Sequence, residues 1–258
     1  MDKKVAVTDK KNVKKREKIE HKNCSYAILV TVWVAVALFV CMFLASGFLT
    51  LTKDIIPYDR MNATLLELMV SAVVYATAVL VTVFGPWLIL RKWPQAKTSR
   101  EEMGLRSWPT WTDILLAVAG YVVSLVAGMF LLFVGTALLP GANWEQAQDV
   151  GFHGVYAASD LLMAFVALVV VAPICEELIF RGWMYGKLRA RLAAVPAILL
   201  VSLLFAAVHM QLNVGVVVFC MSVVNCLIRE LTGTIYGGIF VHMLRNAVAF
   251  YALFVMGV

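Results

Sequence analysis

The sequence predicts an all-α membrane protein, a polytopic helix bundle with about seven transmembrane helices. Of its 258 residues, 62% are hydrophobic and only 15% are charged, a composition far from that of a soluble domain. The apolar residues also fall into long runs, several of which reach the ~20 residues that an α-helix needs to cross a bilayer. Lysine and arginine are concentrated in alternate segments between these runs, as in multi-pass membrane proteins.

The first half of the chain predicts three spans. Residues 1–23 form a basic tail with nine lysines and arginines, which we expect to be disordered and cytoplasmic. The spans follow at about 26–50, 64–90 and 113–139. The first is too long for a cleavable signal peptide. Residues 24–111 form an N-terminal region of transmembrane helices and a basic loop. This loop carries three tryptophans that fit an interfacial aromatic belt: Trp93, Trp108 and Trp111.

The rest of the chain predicts four further spans. The fourth begins near Asp160 and passes through two adjacent glutamates, and the fifth covers about 194–210. The sixth runs from a tight turn near 211–215 to about 230, and the seventh from 234 to the C-terminus. Connecting segments that are rich in lysine and arginine alternate with segments that have few or none. This alternation predicts a cytoplasmic N-terminus and an external C-terminus. This strong bias and the short loops are typical of a bacterial plasma-membrane protein.

Three charged residues in the fourth span are the first candidates for function. Glu176, Glu177 and Arg181 lie within six positions, and an isolated charge inside hydrocarbon costs about 2.5–3.5 kcal/mol on insertion scales. Glu177 and Arg181 are four residues apart, so they share a helix face and can pair. Glu176 lies about 100° away round the helix. It needs a partner from another helix, and such a carboxylate suits proton transfer.

Two histidines are the candidate partners of Glu176. Phe205 and His209 lie four residues apart in the fifth span, as do His242 and Asn246 in the seventh, so each pair shares a helix face. At about 1.5 Å per helical residue, Glu176 and both histidines lie roughly 18–20 Å from the basic side. A carboxylate and two imidazoles at one depth predict a functional site.

These side chains fit the hydrolysis of an amide bond. Glu176 and His209 could hold a water between them and remove its proton. His242 and Asn246 could donate hydrogen bonds to the developing oxyanion. A divalent metal such as zinc is an open alternative, with Glu176, His209 and His242 as its ligands. The HExxH spacing of helical zinc proteases is absent.

The three motifs resemble those of the CPBP family, also called the Abi family. They are present in the family's order, as Glu176-Glu177-x-x-x-Arg181, Phe205-x-x-x-His209 and His242-x-x-x-Asn246. The resemblance covers about Ser159 to the C-terminus, and Glu101–Arg106 is similar to the family's lead-in. The family contains type II CAAX prenyl endopeptidases and bacteriocin-processing and immunity proteins.

The resemblance implies an intramembrane endopeptidase whose core lies within 112–258. Its site would open to the cytosol and act on a peptide or membrane protein. Glu176 and His209 would activate water, and His242 and Asn246 would stabilise the oxyanion. The further residues would be two supporting side chains, Glu177 and Arg181, and a candidate substrate contact, Phe205. Such proteins are often called metalloproteases, although prenyl-protein members resemble enzymes in which glutamate activates water without an essential metal.

Two other functions remain open. One is a non-catalytic regulator or immunity protein that binds another membrane protein. The other is a transporter or proton relay, although the first half contains no second copy of the Glu-Glu stretch and transporters often contain inverted repeats. Cys175 is an alternative nucleophile, but most membrane cysteines behave as small apolar residues. The charge of the tail fits topology and the lipid bilayer, and we expect no nucleic-acid partner.

Overall fold

The computed structural model describes residues 3–52, 62–89, 97–146 and 157–257, together with positions 148, 150, 152 and 155. Within these residues the chain is helical and contains no strand, so the predicted all-α fold is confirmed. The described helices are α1 (Lys3–Thr52), α2 (Ala63–Ile89), α3 (Trp111–Leu138), α4 (Ala158–Arg189), α5 (Ala194–Ala207), α6 (Leu212–Thr232) and α7 (Tyr236–Met256).

Six of the described helices are long and apolar enough to cross a membrane, which makes the chain a multi-pass membrane protein. They are the segment Glu20–Thr52 of α1, together with α2, α3, α4, α6 and α7. Helix α5 has only 14 residues, about 21 Å at the usual helical rise, whereas the hydrocarbon core is ~30 Å thick. The predicted seven spans are therefore six full-length helices and one short one.

Two boundaries differ from the sequence prediction. Residues 3–23 continue α1 rather than forming a disordered tail, because lysine, arginine and glutamate are good helix formers and an apolar helix follows directly. Helix α5 ends at Ala207, earlier than expected, because the turn to α6 already begins there, with Met210 at φ +54°. Trp108 and Trp111 are highly exposed, as an aromatic belt requires. Trp93 lies outside the described residues.

The helices bury one large apolar core and a second, smaller apolar cluster between α4 and α7. Helix α3 packs along α6 and α7, α5 packs against α6, and α1 packs against α2. Gly120 of α3 shows why small residues are needed here, because a Cβ at that position would lie 2.8 Å from a methyl group of Ile228. Helix α4 contacts α2 and α7, and almost every residue of its last third is buried.

The segment Glu101–Arg106 contacts α4 and α6 at the end of the bundle that carries the basic residues. Glu102 forms an ion pair with Lys187 of α4 (3.0 Å), and its backbone carbonyl accepts a hydrogen bond from Arg229 of α6. The same carbonyl lies so close to Gly186 that a Cβ at that position would overlap it. This segment therefore fixes α4 relative to α6 at the end of the bundle that carries the basic residues.

Helix α4 is not a regular α-helix around its two glutamates. It contains two π-helical stretches, Val166–Val171 and Leu178–Met184. After the first stretch the N–H of Ala172 bonds the carbonyl of Ala167, five residues back. The next donor in this register would be Pro173, which has no N–H. The carbonyl of Leu168 is therefore left for a donor from another helix, and π-helical turns of this kind are frequent at functional sites.

Candidate active site

Glu177 lies at the centre of a buried polar cluster. Its Oε1 accepts hydrogen bonds from donors on α4, α6 and α7: Arg181 Nη1 (2.8 Å), Asn225 Nδ2 (3.0 Å) and His242 Nδ1 (3.1 Å). The side chains of Glu177 and Arg181 are both 0% exposed, and they form the ion pair that their spacing predicts. Asn225 also donates to the carbonyl of Gly238 (3.2 Å). The cluster therefore ties three helices together through one carboxylate.

Glu176 has a more open environment. Tyr75 of α2 donates its hydroxyl hydrogen to Oε1 of Glu176 at 2.9 Å. The other oxygen, Oε2, accepts no hydrogen bond from the residues that the structure describes and lies 3.8 Å from Nε2 of His242. The side chain of Glu176 is 19% exposed. Two further groups, Arg245 and His209, interact with it electrostatically, so the predicted partner from another helix is present.

His242 lies between the two carboxylates and is almost completely buried. Its Nδ1 faces Glu177, and its Nε2 faces Glu176. Because an ionised carboxylate only accepts hydrogen bonds, Nδ1 carries a hydrogen. The outward nitrogen Nε2 can then accept a proton in the neutral ring or donate one in the imidazolium ion. A carboxylate behind a histidine fixes both the tautomer and the orientation of the ring.

His209 lies just beyond the end of α5, and both its ring and that of His242 contact Phe205. Its Nδ1 is 2.8 Å from the carbonyl of Phe205, so that nitrogen carries the hydrogen and Nε2 keeps its lone pair. The Phe205 ring contacts both imidazoles edge-on, with centroid distances of 5.0 Å to His209 and 5.8 Å to His242. It also lies under the guanidinium of Arg181. Phe205 is fully buried, and its contact with substrate stays a prediction.

Asn246 is attached to the irregular part of α4. Its Nδ2 donates to the carbonyl of Leu168 at 2.8 Å, the carbonyl that Pro173 leaves without a helical donor. Its Oδ1 accepts a hydrogen bond from Arg245 (3.2 Å). An amide nitrogen carries two hydrogens, so one N–H remains for another acceptor. The side chain is thus held in place by two bonds that do not use its full donor capacity.

The sequence prediction missed Tyr75, which donates the hydrogen bond that Glu176 accepts. It is one of eight tyrosines, and no spacing rule marks it. The available signal was its place in an apolar span, because a hydroxyl group there has no water to bond and needs a partner within the protein.

The structure does not assemble a metal site from the predicted ligands. No three His, Cys, Asp or Glu side chains among the described residues are grouped so that they could hold a metal ion. The set of Glu176, His209 and His242 therefore does not fit a resident zinc ion in this arrangement.

A cavity of about 640 Å³ lies apart from the three motifs. It is at the basic end of the bundle, and its lining includes Glu101, Arg106, Tyr185, Arg189, Arg229 and Glu230. Tyr185 and Arg189 both donate to Glu230 there. Because none of the motif residues lines this cavity, it is separate from the candidate site.

Residues 158–248 match a family model described as "Type II CAAX prenyl endopeptidase Rce1-like". This segment is similar to that family. It begins with α4, ends within α7 and includes all three motifs, so the CPBP resemblance predicted from those motifs is confirmed. The match supports a protease type of function within the membrane, for which a lipid bilayer and a peptide substrate are implied. No curated protein and no solved structure matched the chain.

Proposed function

We propose that this Rce1-like protein is an intramembrane endopeptidase that hydrolyses a peptide bond of a membrane-associated protein or peptide. One observation carries the proposal. Glu176 keeps one oxygen without a hydrogen bond from the described residues, 3.8 Å from His242 Nε2, at a level of the bundle where unbound carboxylate oxygens are costly.

The first step is the activation of water. Oε2 of Glu176 accepts a proton from a water molecule while the water oxygen forms a bond to the carbonyl carbon of the substrate. His209 keeps the lone pair of Nε2 and accepts a hydrogen bond from the same water, which orients it. A positioned general base of this kind contributes about 10²–10⁴-fold to a rate.

The second step is the stabilisation of the tetrahedral intermediate. His242 donates from Nε2 as an imidazolium ion, which the carboxylate of Glu177 stabilises through Nδ1. Asn246 donates through the N–H that Leu168 does not use. Each oxyanion donor contributes about 10²–10³-fold. When the C–N bond breaks, the amine nitrogen takes the proton held by Glu176, so that water is consumed and no other reactant is needed.

The alternation of basic residues supports a plasma membrane with the N-terminus in the cytoplasm, and we propose that substrate reaches the site from that side. Prenylated proteins are not expected in a bacterial membrane. Peptide maturation, processing of signalling peptides or immunity to bacteriocins therefore fit better.

The test is a comparison of peptide termini in cells that carry the wild type or Glu176→Gln. We expect a defined set of new termini in the wild type alone. Equal amounts of folded protein in the two strains, and the same result for His209→Ala, would attribute the loss to chemistry. If the two variants complement a deletion strain and give the wild-type set of termini, the protein is a binding partner and the proposal is wrong.

A further inference from the structure

We propose that Tyr75 is a positioning residue of the site, and that it selects Oε2 of Glu176 as the atom that takes the proton. This inference rests on the proposed endopeptidase function. Its basis is the 2.9 Å hydrogen bond from the phenol to Oε1, beside an Oε2 that accepts none from the described residues. Tyr75 lies on α2, outside the Rce1-like segment 158–248.

A phenol donor makes the two oxygens of one carboxylate unequal. Hydrogen bonds to an ionised oxygen are shorter and roughly twice as strong as those between neutral groups, so Oε1 is held against Tyr75. This fixes the rotation of the carboxylate and directs Oε2 towards His242. Among the described residues, the other charged or titratable groups near Glu176 include Glu177 and Cys175 on its own helix, Arg245 on α7 and His209 after α5. None of these replaces the phenol at Oε1.

The packing of α2 explains how Tyr75 reaches this position. Near the start of α2, Asn62 donates to Asp160 of α4 at 3.2 Å, across 98 positions of sequence, whereas the bond from Tyr75 to Glu176 spans 101 positions. The two hydrogen bonds join residues that are almost equally far apart in sequence, 98 and 101 positions. Helices α2 and α4 therefore run in the same direction, and their register changes little between the two bonds. Asn62 therefore fixes the register, and Tyr75 reaches the depth of Glu176 about 20 Å further along.

The site consequently includes a residue from the first half of the chain. The core predicted at 112–258 contains all three motifs but not the donor to Glu176 Oε1. The inference gives α2 a specific role in the chemistry, which is to orient the base rather than to touch the substrate.

The test compares Tyr75→Phe with Tyr185→Phe in the full-length protein. Each substitution removes one hydrogen bond from a phenol to a carboxylate. Tyr185 donates to Glu230 at 2.8 Å, in the separate cavity that contains none of the motif residues. We expect Tyr75→Phe to lower kcat by about 10- to 100-fold, the range for a lost hydrogen bond to a charged group, with KM changed less than about twofold. Tyr185→Phe should leave both constants unchanged at a similar Tm.

An infrared readout separates this inference from the proposed function. The carboxylate stretching band of Glu176 is obtained as the difference between wild type and Glu176→Gln. We expect this band to move in Tyr75→Phe and to stay in Tyr185→Phe. An unmoved band, or a moved band with unchanged kcat, overturns the positioning role. If the wild type shows no cleavage that depends on Glu176, the proposed function fails and this role fails with it, while a moved band would still establish the hydrogen bond.

Discussion

Glu176 and Glu177 are neighbours in sequence but differ in almost every physical respect. Glu177 is completely buried, and one of its oxygens accepts three hydrogen bonds from three helices. Glu176 is partly exposed and accepts one hydrogen bond from the described residues, from a phenol. Each glutamate also has an Oε2 that accepts no hydrogen bond from the described residues, and that of Glu176 lies 3.8 Å from Nε2 of His242. We therefore propose that Glu177 is used for packing, whereas Glu176 is used for chemistry.

The helix itself creates this difference. Residues that follow each other point about 100° apart, so Glu177 faces α6 and α7 while Glu176 faces α2 and the histidines. Arg181, four residues on, reaches only Glu177. The second cation, Arg245 of α7, interacts with Glu176 instead. Each carboxylate therefore has its own guanidinium nearby, but only that of Glu177 is in direct contact with it.

The largest effect on stability is expected for Glu177→Gln. This substitution leaves Arg181 as a buried charge without its counterion, and removing one partner of a buried pair costs about 3–5 kcal/mol. Chemical unfolding in detergent, followed by circular dichroism, measures the loss. The matched control is Glu176→Gln, for which we expect less than about 1 kcal/mol. Equal losses for the two variants would remove the distinction between the glutamates.

Asn246→Ala should lower kcat by about 10²–10³-fold, because it removes a proposed oxyanion donor. It should also cost about 1–3 kcal/mol in stability, since the carbonyl of Leu168 loses its donor. Cleavage assays and unfolding curves on the same preparation measure the two effects. If kcat is unchanged while stability falls, Asn246 only anchors α7 to the irregular part of α4.

Asn225→Ala tests the packing side of the comparison alone. The amide of Asn225 bonds Glu177 and the carbonyl of Gly238, so we expect a loss of about 1–3 kcal/mol in stability. We expect kcat of the folded fraction to change by less than about threefold, since a surviving Arg181 and His242 still hold Glu177. A large loss of kcat at unchanged stability would instead place Asn225 in the chemistry.

The smallest effect concerns access to the site. Cys24 is exposed near the basic tail, Cys175 beside Glu176 is partly exposed, and the other three cysteines are buried. If the site opens to the cytosol, a small impermeant thiol reagent should modify Cys24 and, more slowly, Cys175 from the same side of sealed vesicles. Mass spectrometry locates the label. Modification of Cys175 only from the side opposite Cys24 would show that the opening faces the other way.

The sequence was sufficient for much of the fold, because apolar run length and alternating basic residues follow directly from the thickness and charge asymmetry of a membrane. It also predicted the pair of Glu177 and Arg181, since four-residue spacing on a helix is a local property. The short α5 was less predictable, because its end depends on a turn near Met210 rather than on hydropathy.

The parts of the site that could not be predicted depend on contacts between distant helices. The bond from Tyr75 to Glu176 requires the register of α2 against α4, which no local pattern encodes. The bond from Asn246 to Leu168 requires a π-helical turn before Pro173. A proline in a helix predicts an irregularity, but not which side chain will bind the carbonyl that it leaves free.

The central claim is that Glu176 activates water while Glu177 holds the bundle together. The most direct measurement is the cleavage rate of purified Glu176→Gln against wild type in proteoliposomes, with the Tm of each sample recorded. We predict a loss of about 10²–10⁴-fold in rate at a Tm within a few degrees of the wild type. Cleavage at the wild-type rate by folded Glu176→Gln would contradict this account.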